Sequence, residues 1–119
     1  MIAFMVSSDT VDLTRRLTAA LGPTLVSTLA GSRDTRAALS WSEEGGNRPS
    51  QDALRRLECA DAVWRTVSGA EGDQVARLWF VGANPFLHNE DTAITAIRDG
   101  RFDEVIGAAQ ALADDSFTG

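Results

Sequence analysis

The sequence predicts an all-α protein of about seven helices, and three observations lead to this fold class. Apolar residues recur with the 3.6-residue period of a helix along most of the chain. Glycine and proline stand between these periodic stretches, where they end one helix and start the next. The two segments with some strand character, residues 63–67 and 78–81, lie inside helix-period stretches. A length of 119 residues allows one compact domain or two small helical halves that share a core.

The first two predicted helices meet at a glycine and a proline. Asp9 or Thr10 is a suitable N-cap for a first helix that ends at Gly22. Pro23 has the fixed φ that suits the first turn of a short second helix, which Gly31 ends. These two helices are therefore expected to follow one another almost directly.

The third and fourth predicted helices flank the clearest loop in the chain. Ser32 is expected to cap a third helix that continues to about Trp41. Residues 42–49 (SEEGGNRP) contain paired glycines and a proline, which predict a loop and a candidate hinge. Ser50 starts the longest helix, and residues 68–72 end it.

Three further periodic segments follow. Their apolar residues are Val75, Leu78 and Trp79 in the fifth helix, Ala93, Ile94 and Ile97 in the sixth, and Phe102, Val105, Ile106, Ala109 and Leu112 in the seventh. Each set has the spacing of one helix face, so each segment is expected to pack on a common core.

Charge is divided unequally along the chain. Residues 1–68 contain eight Arg and eight acidic residues, whereas residues 69–119 contain three Arg and nine acidic residues. The net charge of −6 therefore belongs to the second part. Every cation is Arg, which binds phosphate and guanine in a bidentate manner. Nucleic-acid binding, if it occurs, is expected in the first part.

Residues 24–41 have the pattern of a helix-turn-helix. Ser27 is a small residue where the two helices would meet, and Gly31 can adopt the positive φ of the turn. The polar residues 32–36 would then face the major groove. The residues predicted to contact DNA are Ser32, Arg33, Arg36, Arg48 and Arg55. The alternative interpretation is a helical hairpin whose charged residues are only solvated.

The sequence contains no recognisable reaction centre. His88 is the single histidine, with no second His or Cys beside it, so a zinc site is not expected. Cys59 is the single cysteine and lies in a helical pattern, where a small buried thiol is expected. Asp114 and Asp115 are adjacent and would diverge on a helix rather than converge on a substrate. We therefore expect a protein that is not an enzyme and uses neither cofactor nor metal.

Ten positions between residues 79 and 112 follow a recognisable order. A Trp near the end of a helix precedes a link with Asn and Pro, a leucine, a helix closed by glycine, and a last amphipathic helix. These positions are Trp79, Asn84, Pro85, Leu87, Ile94, Ile97, Gly100, Phe102, Val105 and Leu112. Together they resemble the C-terminal domain of the Xre/MbcA/ParS antitoxin family, most specifically at residues 98–102 (RDGRF). The chain departs from the family pattern at His88, Asn89 and Thr92, where members often have a small residue or a proline.

The resemblance implies a type II antitoxin that binds and neutralises a RES-domain toxin, a protein that consumes NAD. Family members place a DNA-binding part before this module. The chain would then divide into residues 1–68, for DNA binding and dimerisation, and residues 69–119, for toxin binding. The resemblance also implies autorepression of the operon and a homodimer within a larger toxin–antitoxin complex. The residues expected to bind the toxin are Trp79, Asn84, Arg98, Arg101, Asp114, Asp115 and Phe117.

The acidic C-terminal segment suggests how such a protein would block its partner. A NAD-consuming pocket offers positive groups to a pyrophosphate. Asp114 and Asp115 would replace the phosphate charge there, and Phe117 would replace a stacked ring. The alternative is a frayed terminus without a role. The apolar faces of helices one and five, with Trp64 and Trp79, are expected to support dimerisation.

The first ten residues have a short apolar start without a basic flank or a cleavage site, which argues against a secretory signal. Apolar runs are far shorter than the roughly 20 residues of a membrane span. We therefore expect a cytoplasmic protein without a membrane partner. The alternative function is a stand-alone helix-turn-helix transcriptional regulator without a toxin partner.

Overall fold

The computed structural model describes the backbone of residues 2–118 and the side chains of residues 9–115, and this part of the chain is all-α as predicted. It contains seven α-helices and one short 3-10 turn at His88–Glu90, without a strand. The helices are α1 (Ile2–Leu21), α2 (Pro23–Leu29), α3 (Ala37–Trp41), α4 (Gln51–Glu71), α5 (Asp73–Val81), α6 (Ala93–Arg98) and α7 (Phe102–Thr118).

Single glycines join two pairs of helices. Gly22 is the one residue between α1 and α2, with a φ of 87°, and Gly72 is the one residue between α4 and α5, with a φ of 88°. A residue with a Cβ rarely adopts this backbone conformation, so glycine permits the abrupt change of direction between the two helices. Pro23 then starts α2 at its first position, as its fixed φ predicts.

The long helix α4 forms the centre of the molecule. Its buried residues Leu57, Ala60, Val63 and Val67 belong to a core cluster that extends from Leu13 to Ala109. The helix packs most extensively against α7, and also against α1 and α5. Each of the seven helices contributes residues to this core, so the described residues share one core.

The predicted boundary between residues 1–68 and 69–119 falls inside α4. Contacts cross it directly, since α2 packs on α6 and α1 packs on α5. In addition, Arg77 Nε on α5 donates a hydrogen bond of 2.8 Å to the carbonyl oxygen of Ala20 at the end of α1. The two parts therefore share one core without a linker between them.

Two predicted helix starts are wrong. The first helix begins at Ile2 rather than at Asp9 or Thr10, because residues 2–8 contain neither glycine nor proline to interrupt it. The third helix does not begin after Ser32, since α3 contains only residues 37–41.

Local hydrogen bonds explain the short α3. Ser32 Oγ accepts a hydrogen bond of 3.1 Å from the backbone N–H of Asp34, and Asp34 Oδ1 accepts one of 2.9 Å from the N–H of Arg36. Such side-chain to backbone bonds compete with a helical ladder and hold residues 32–36 in turns.

The apolar face expected to be exposed on the first helix is buried within residues 9–21. Leu13, Leu17 and Leu21 are at most 8% exposed because α2, α3 and α4 all pack against α1. Residues 9–21 of α1 therefore offer no exposed apolar face for dimerisation, and the side chains of residues 2–8 lie outside the described residues. None of the helices in the described residues combines the length and the apolar character required to cross a membrane.

Candidate functional site: an apolar groove beside α5

A groove with a volume of about 220 Å³ lies between the end of α5, the segment that follows it, and α7. Its lining residues are Leu78, Trp79, Gly82, Ala83, Asn84, Pro85, Phe86 and Leu112. None of these eight side chains carries a charge. We call this surface the α5 groove.

Two large apolar side chains at the α5 groove are unusually accessible. Leu78 is 69% exposed and Phe86 is 63% exposed. Burying a side chain of this kind contributes about 1.5–3 kcal/mol, and in the isolated chain that contribution is unused. Because these accessible apolar side chains line one groove, the α5 groove is a candidate binding surface.

The exposure of Leu78 follows from how the short α5 helix meets the core. Ala76 and Phe80 are fully buried, and Phe80 contacts the rings of Trp64 and Trp79 at centroid distances of 6.0 and 5.7 Å. Leu78 lies on another side of the helix, which no neighbouring helix covers fully. Trp79 lies between the two sides and is half-buried.

Asn84 shapes the segment that presents Phe86. Asn84 is 3% exposed, and its Oδ1 accepts a hydrogen bond of 3.0 Å from the backbone N–H of Phe86. Its own N–H donates to the carbonyl oxygen of Asp91 at 3.1 Å, and the N–H of the buried Leu87 donates to the Asn84 carbonyl oxygen at 3.0 Å. Asn84 therefore positions Phe86 and offers a partner little of its own surface.

Arg101 fixes the segment before α6 to the start of α7. Its Nη2 lies 2.6 Å from Asp91 Oδ2, and its Nη1 lies 3.2 Å from Glu104 Oε1. Glu104 Oε1 also accepts a hydrogen bond of 2.5 Å from the backbone N–H of His88. The hydrogen bond that the Arg101 guanidinium donates to Asp91 is the main cause that raises the pKa of Arg101 above its usual value. Arg101 is thus engaged within its own chain, whereas Arg98 is exposed and lies 3.9 Å from Asp99.

The acidic residues near the C-terminus lie on a helix and not on an extended tail. Asp114 and Asp115 are exposed on α7, which continues to Thr118. Asp114 Oδ1 accepts a hydrogen bond of 3.2 Å from Gln110 Nε2. The side chain of Phe117 lies outside the described residues.

The predicted DNA-binding residues lie on three segments. Arg33 and Arg36 are exposed in the turns before α3, Arg48 is exposed in the loop after α3, and Arg55 is exposed near the start of α4. Ser32 is partly buried and forms the local turn described above. The polar run 32–36 therefore precedes α3 instead of lying on its surface.

Ser27 lies at the joint between α2 and α3. Ser27 is fully buried, and its Oγ accepts a hydrogen bond of 2.9 Å from the backbone N–H of Ala38. Gly31 has the expected positive φ of 87°. Arg56 lies over this joint, where its Nη1 donates a hydrogen bond of 3.3 Å to the carbonyl oxygen of Ala30.

Cys59 has the buried environment predicted from the sequence. Cys59 is buried, and this burial, together with the negative charge of Asp103, raises the pKa of its thiol to about 11. A neutral thiol is a poor nucleophile at physiological pH. His88 is exposed, and the described residues contain no group of three His, Cys, Asp or Glu side chains that could hold a metal ion.

Sequence reasoning missed Phe86 and did not distinguish Leu78 from core residues. The available signal was the Pro85–Phe86 pair, because a large aromatic residue in a short link is either an anchor in the core or an exposed contact. Helical periodicity cannot separate these two outcomes for Leu78, since the side of α5 that is covered depends on distant parts of the chain.

Comparison with protein families, curated proteins and solved structures gives no match to this chain. The resemblance to the Xre/MbcA/ParS antitoxin family therefore stays a prediction that depends on the residues quoted above.

Proposed function

We propose that this protein is a type II antitoxin that binds and neutralises a RES-domain, NAD-consuming toxin. The observation that carries the proposal is the α5 groove, an exposed apolar surface at Leu78 and Phe86. The groove lies within the segment that resembles the antitoxin family, and four residues belong both to the resemblance and to the lining: Trp79, Asn84, Pro85 and Leu112. An uncovered apolar groove without reactive groups suits protein binding better than catalysis.

Two surfaces of residues 69–119 would act together in this function. The α5 groove would anchor the toxin, and the acidic end of α7, with Asp114 and Asp115, would lie near the positively charged pocket that accepts the pyrophosphate. Exclusion of the dinucleotide then neutralises the toxin. Because α7 is helical to Thr118, the blocking element would be the end of a helix. We place the complex in the cytoplasm, with a homodimer of this chain at its centre that forms through a surface other than the α5 groove.

Co-expression with a RES-domain protein encoded beside this chain tests the proposal. We expect the RES-domain protein alone to lower cellular NAD and arrest growth, and we expect this chain to restore both while the two copurify. Unchanged NAD and no complex would reject the antitoxin function. Deletion of residues 114–119 tests the role of the α7 end separately. A truncated chain that still protects cells would show that the groove and the rest of α7 are sufficient.

Transcriptional regulation is the second candidate function. The chain would either repress its own toxin–antitoxin operon or act as a stand-alone regulator without a toxin partner. The observation that favours it is the buried hydrogen bond between Ser27 and Ala38, which sets α2 against α3 beside the exposed residues Arg33 and Arg36. A specific regulator binds its operator roughly a thousandfold or more tighter than random DNA. Titration of the DNA upstream of its gene against a scrambled duplex measures this ratio. Equal affinity for both duplexes would reject operator recognition.

A further inference from the structure

We infer that the α5 groove accepts one large apolar side chain presented by a basic segment of the partner protein. This inference rests on the proposed function, because it specifies the chemistry of the toxin surface that occupies the groove. Three features of the chain support it: the apolar lining, the accessible edges and the surrounding charge.

The lining selects an apolar group. The eight lining residues are uncharged, and the one amide among them, Asn84, already uses its Oδ1 to accept the N–H of Phe86. A polar ligand would therefore lose its hydration with little compensation. Water occupies about 30 Å³ per molecule in the liquid, so a groove of about 220 Å³ releases several waters when a Leu, Met or Phe side chain enters.

Two exposed residues that line the groove would contact such an apolar side chain. Leu78 lies on the α5 side at 69% exposure, and Phe86 lies on the side of the following segment at 63%. Leu112 and the half-buried Trp79 also line the groove. A single inserted side chain would cover both exposed residues, which is the usual arrangement of an interface hot spot.

The net charge of residues 69–119, which provide all the lining residues, favours a basic partner segment. Residues 69–119 carry nine acidic residues and three Arg, a net charge of −6. All three Arg contact their own chain: Arg77 at the Ala20 carbonyl oxygen, Arg101 at Asp91 and Glu104, and Arg98 beside Asp99. On α7, Asp115 lies one turn after Leu112, on the same side as Glu104. Positive residues that flank the inserted side chain therefore approach a surface of opposite sign.

Two labelled peptides with the same central Leu, one flanked by Arg and the other by Glu, test the inference by fluorescence anisotropy with the full chain. We expect the Arg peptide to bind about tenfold or more tighter than the Glu peptide, and to lose this advantage between about 0.05 and about 0.5 M NaCl. A third peptide with Arg flanks and a central Ala should bind about tenfold more weakly than the Leu peptide. Equal binding of the Leu and Ala peptides would overturn the apolar anchor, and equal binding of the Arg and Glu peptides would overturn the basic segment.

Variants of the chain locate the site. Leu78→Asp should weaken the Arg peptide about tenfold, although the added negative charge by itself would favour a basic ligand. Val81→Asp is the matched control, because Val81 is also exposed on α5, at 45%, but does not line the groove. Equal losses in the two variants would overturn the site. Circular dichroism checks that both variants are folded.

The same variants distinguish this inference from the proposed function. If the RES-domain protein copurifies with the unsubstituted chain and equally well with Leu78→Asp, the antitoxin function stands and the groove inference fails. If the RES-domain protein never copurifies while the Arg peptide binds, the groove inference stands and the antitoxin function fails. Light scattering that shows a dimer disrupted by Leu78→Asp but not by Val81→Asp would instead assign the groove to a second copy of this chain, which would overturn the inference.

Discussion

The hydroxyl of Ser27 links α2 to α3 through a hydrogen bond from the backbone N–H of Ala38, at 2.9 Å. The same hydroxyl donates a hydrogen bond of 2.7 Å to the carbonyl oxygen of Pro23, one turn earlier in α2. Ser27 and Ala38 are both fully buried. One side chain thus satisfies a donor at the start of α3, where a helix has no backbone acceptor of its own.

Ser27→Ala should lower the free energy of unfolding by about 1–3 kcal/mol, because the N–H of Ala38 would be left buried without an acceptor. Urea denaturation followed by circular dichroism measures this change. Thr28→Ala is the matched control, since Thr28 makes the corresponding hydrogen bond to the carbonyl oxygen of Thr24 at an exposed position. A loss no larger than that of Thr28→Ala would show that water or a backbone shift replaces the Ser27 hydroxyl.

Gly46→Ala should destabilise the protein, because a Cβ at residue 46 would lie 2.1 Å from the carbonyl oxygen of Ser40. That atom belongs to the backbone of α3, so relief requires movement of the loop. We expect a loss of about 1–3 kcal/mol in the free energy of unfolding. Gly69→Ala is the control, since the space around Gly69 on α4 is open and alanine favours a helix by about 1 kcal/mol. The two variants should therefore shift the urea midpoint in opposite directions.

Stability should fall as the pH rises from about 9 towards about 11, because burial raises the pKa of Cys59 from 9.0 to about 11. In this range the unfolded thiol loses its proton while the folded thiol keeps it, so the unfolded state is favoured by up to about 1.4 kcal/mol per pH unit. The chain contains neither Tyr nor Lys, so no other side chain is expected to titrate there. Urea midpoints across this range should drop for the unsubstituted chain and stay nearly level for Cys59→Ala. Parallel slopes in both proteins would assign the effect to other groups.

Arg101→Met should loosen the segment between α5 and α6 more than Arg98→Met does. Arg101 lies within 3.2 Å of both Asp91 and Glu104, whereas the shortest ion pair of Arg98 is 3.9 Å long. Amide hydrogen exchange of residues 84–92 should accelerate in the first variant and change little in the second. If both variants exchange alike, the Arg101 ion pairs do not hold this segment.

The order of the helices could be read from the sequence with good accuracy. Pro23 starts α2, Ser50 caps α4 through a hydrogen bond of 3.1 Å from the N–H of Ala53, and residues 42–49 form the predicted loop. These features depend on residues close together in the chain. The two wrong helix starts, at Ser32 and at Asp9 or Thr10, concern residue types that often cap the start of a helix. Such a residue caps a helix only where the local hydrogen bonds favour it.

The candidate site was predictable only in part. The α5 groove lies within the segment predicted to bind the toxin, and Trp79, Asn84 and Leu112 line it. The roles of Arg101 and Asn84 were not predicted. Arg101 forms an ion pair with Asp91, and Asn84 accepts a hydrogen bond from Phe86, and these contacts form only in the folded chain.

The sequence by itself determined the all-α class, the sharp joint at Gly22, the end of the longest helix within residues 68–72, the buried thiol of Cys59 and the concentration of negative charge in residues 69–119. Each of these follows from residue type, local spacing or composition. Only the tertiary structure decided that Ala76 and Phe80 face the core while Leu78 remains exposed beside Phe86. Helical periodicity shows which residues share a side of α5, but α1, α4 and α6 decide which side is covered, and they meet α5 only in the folded chain.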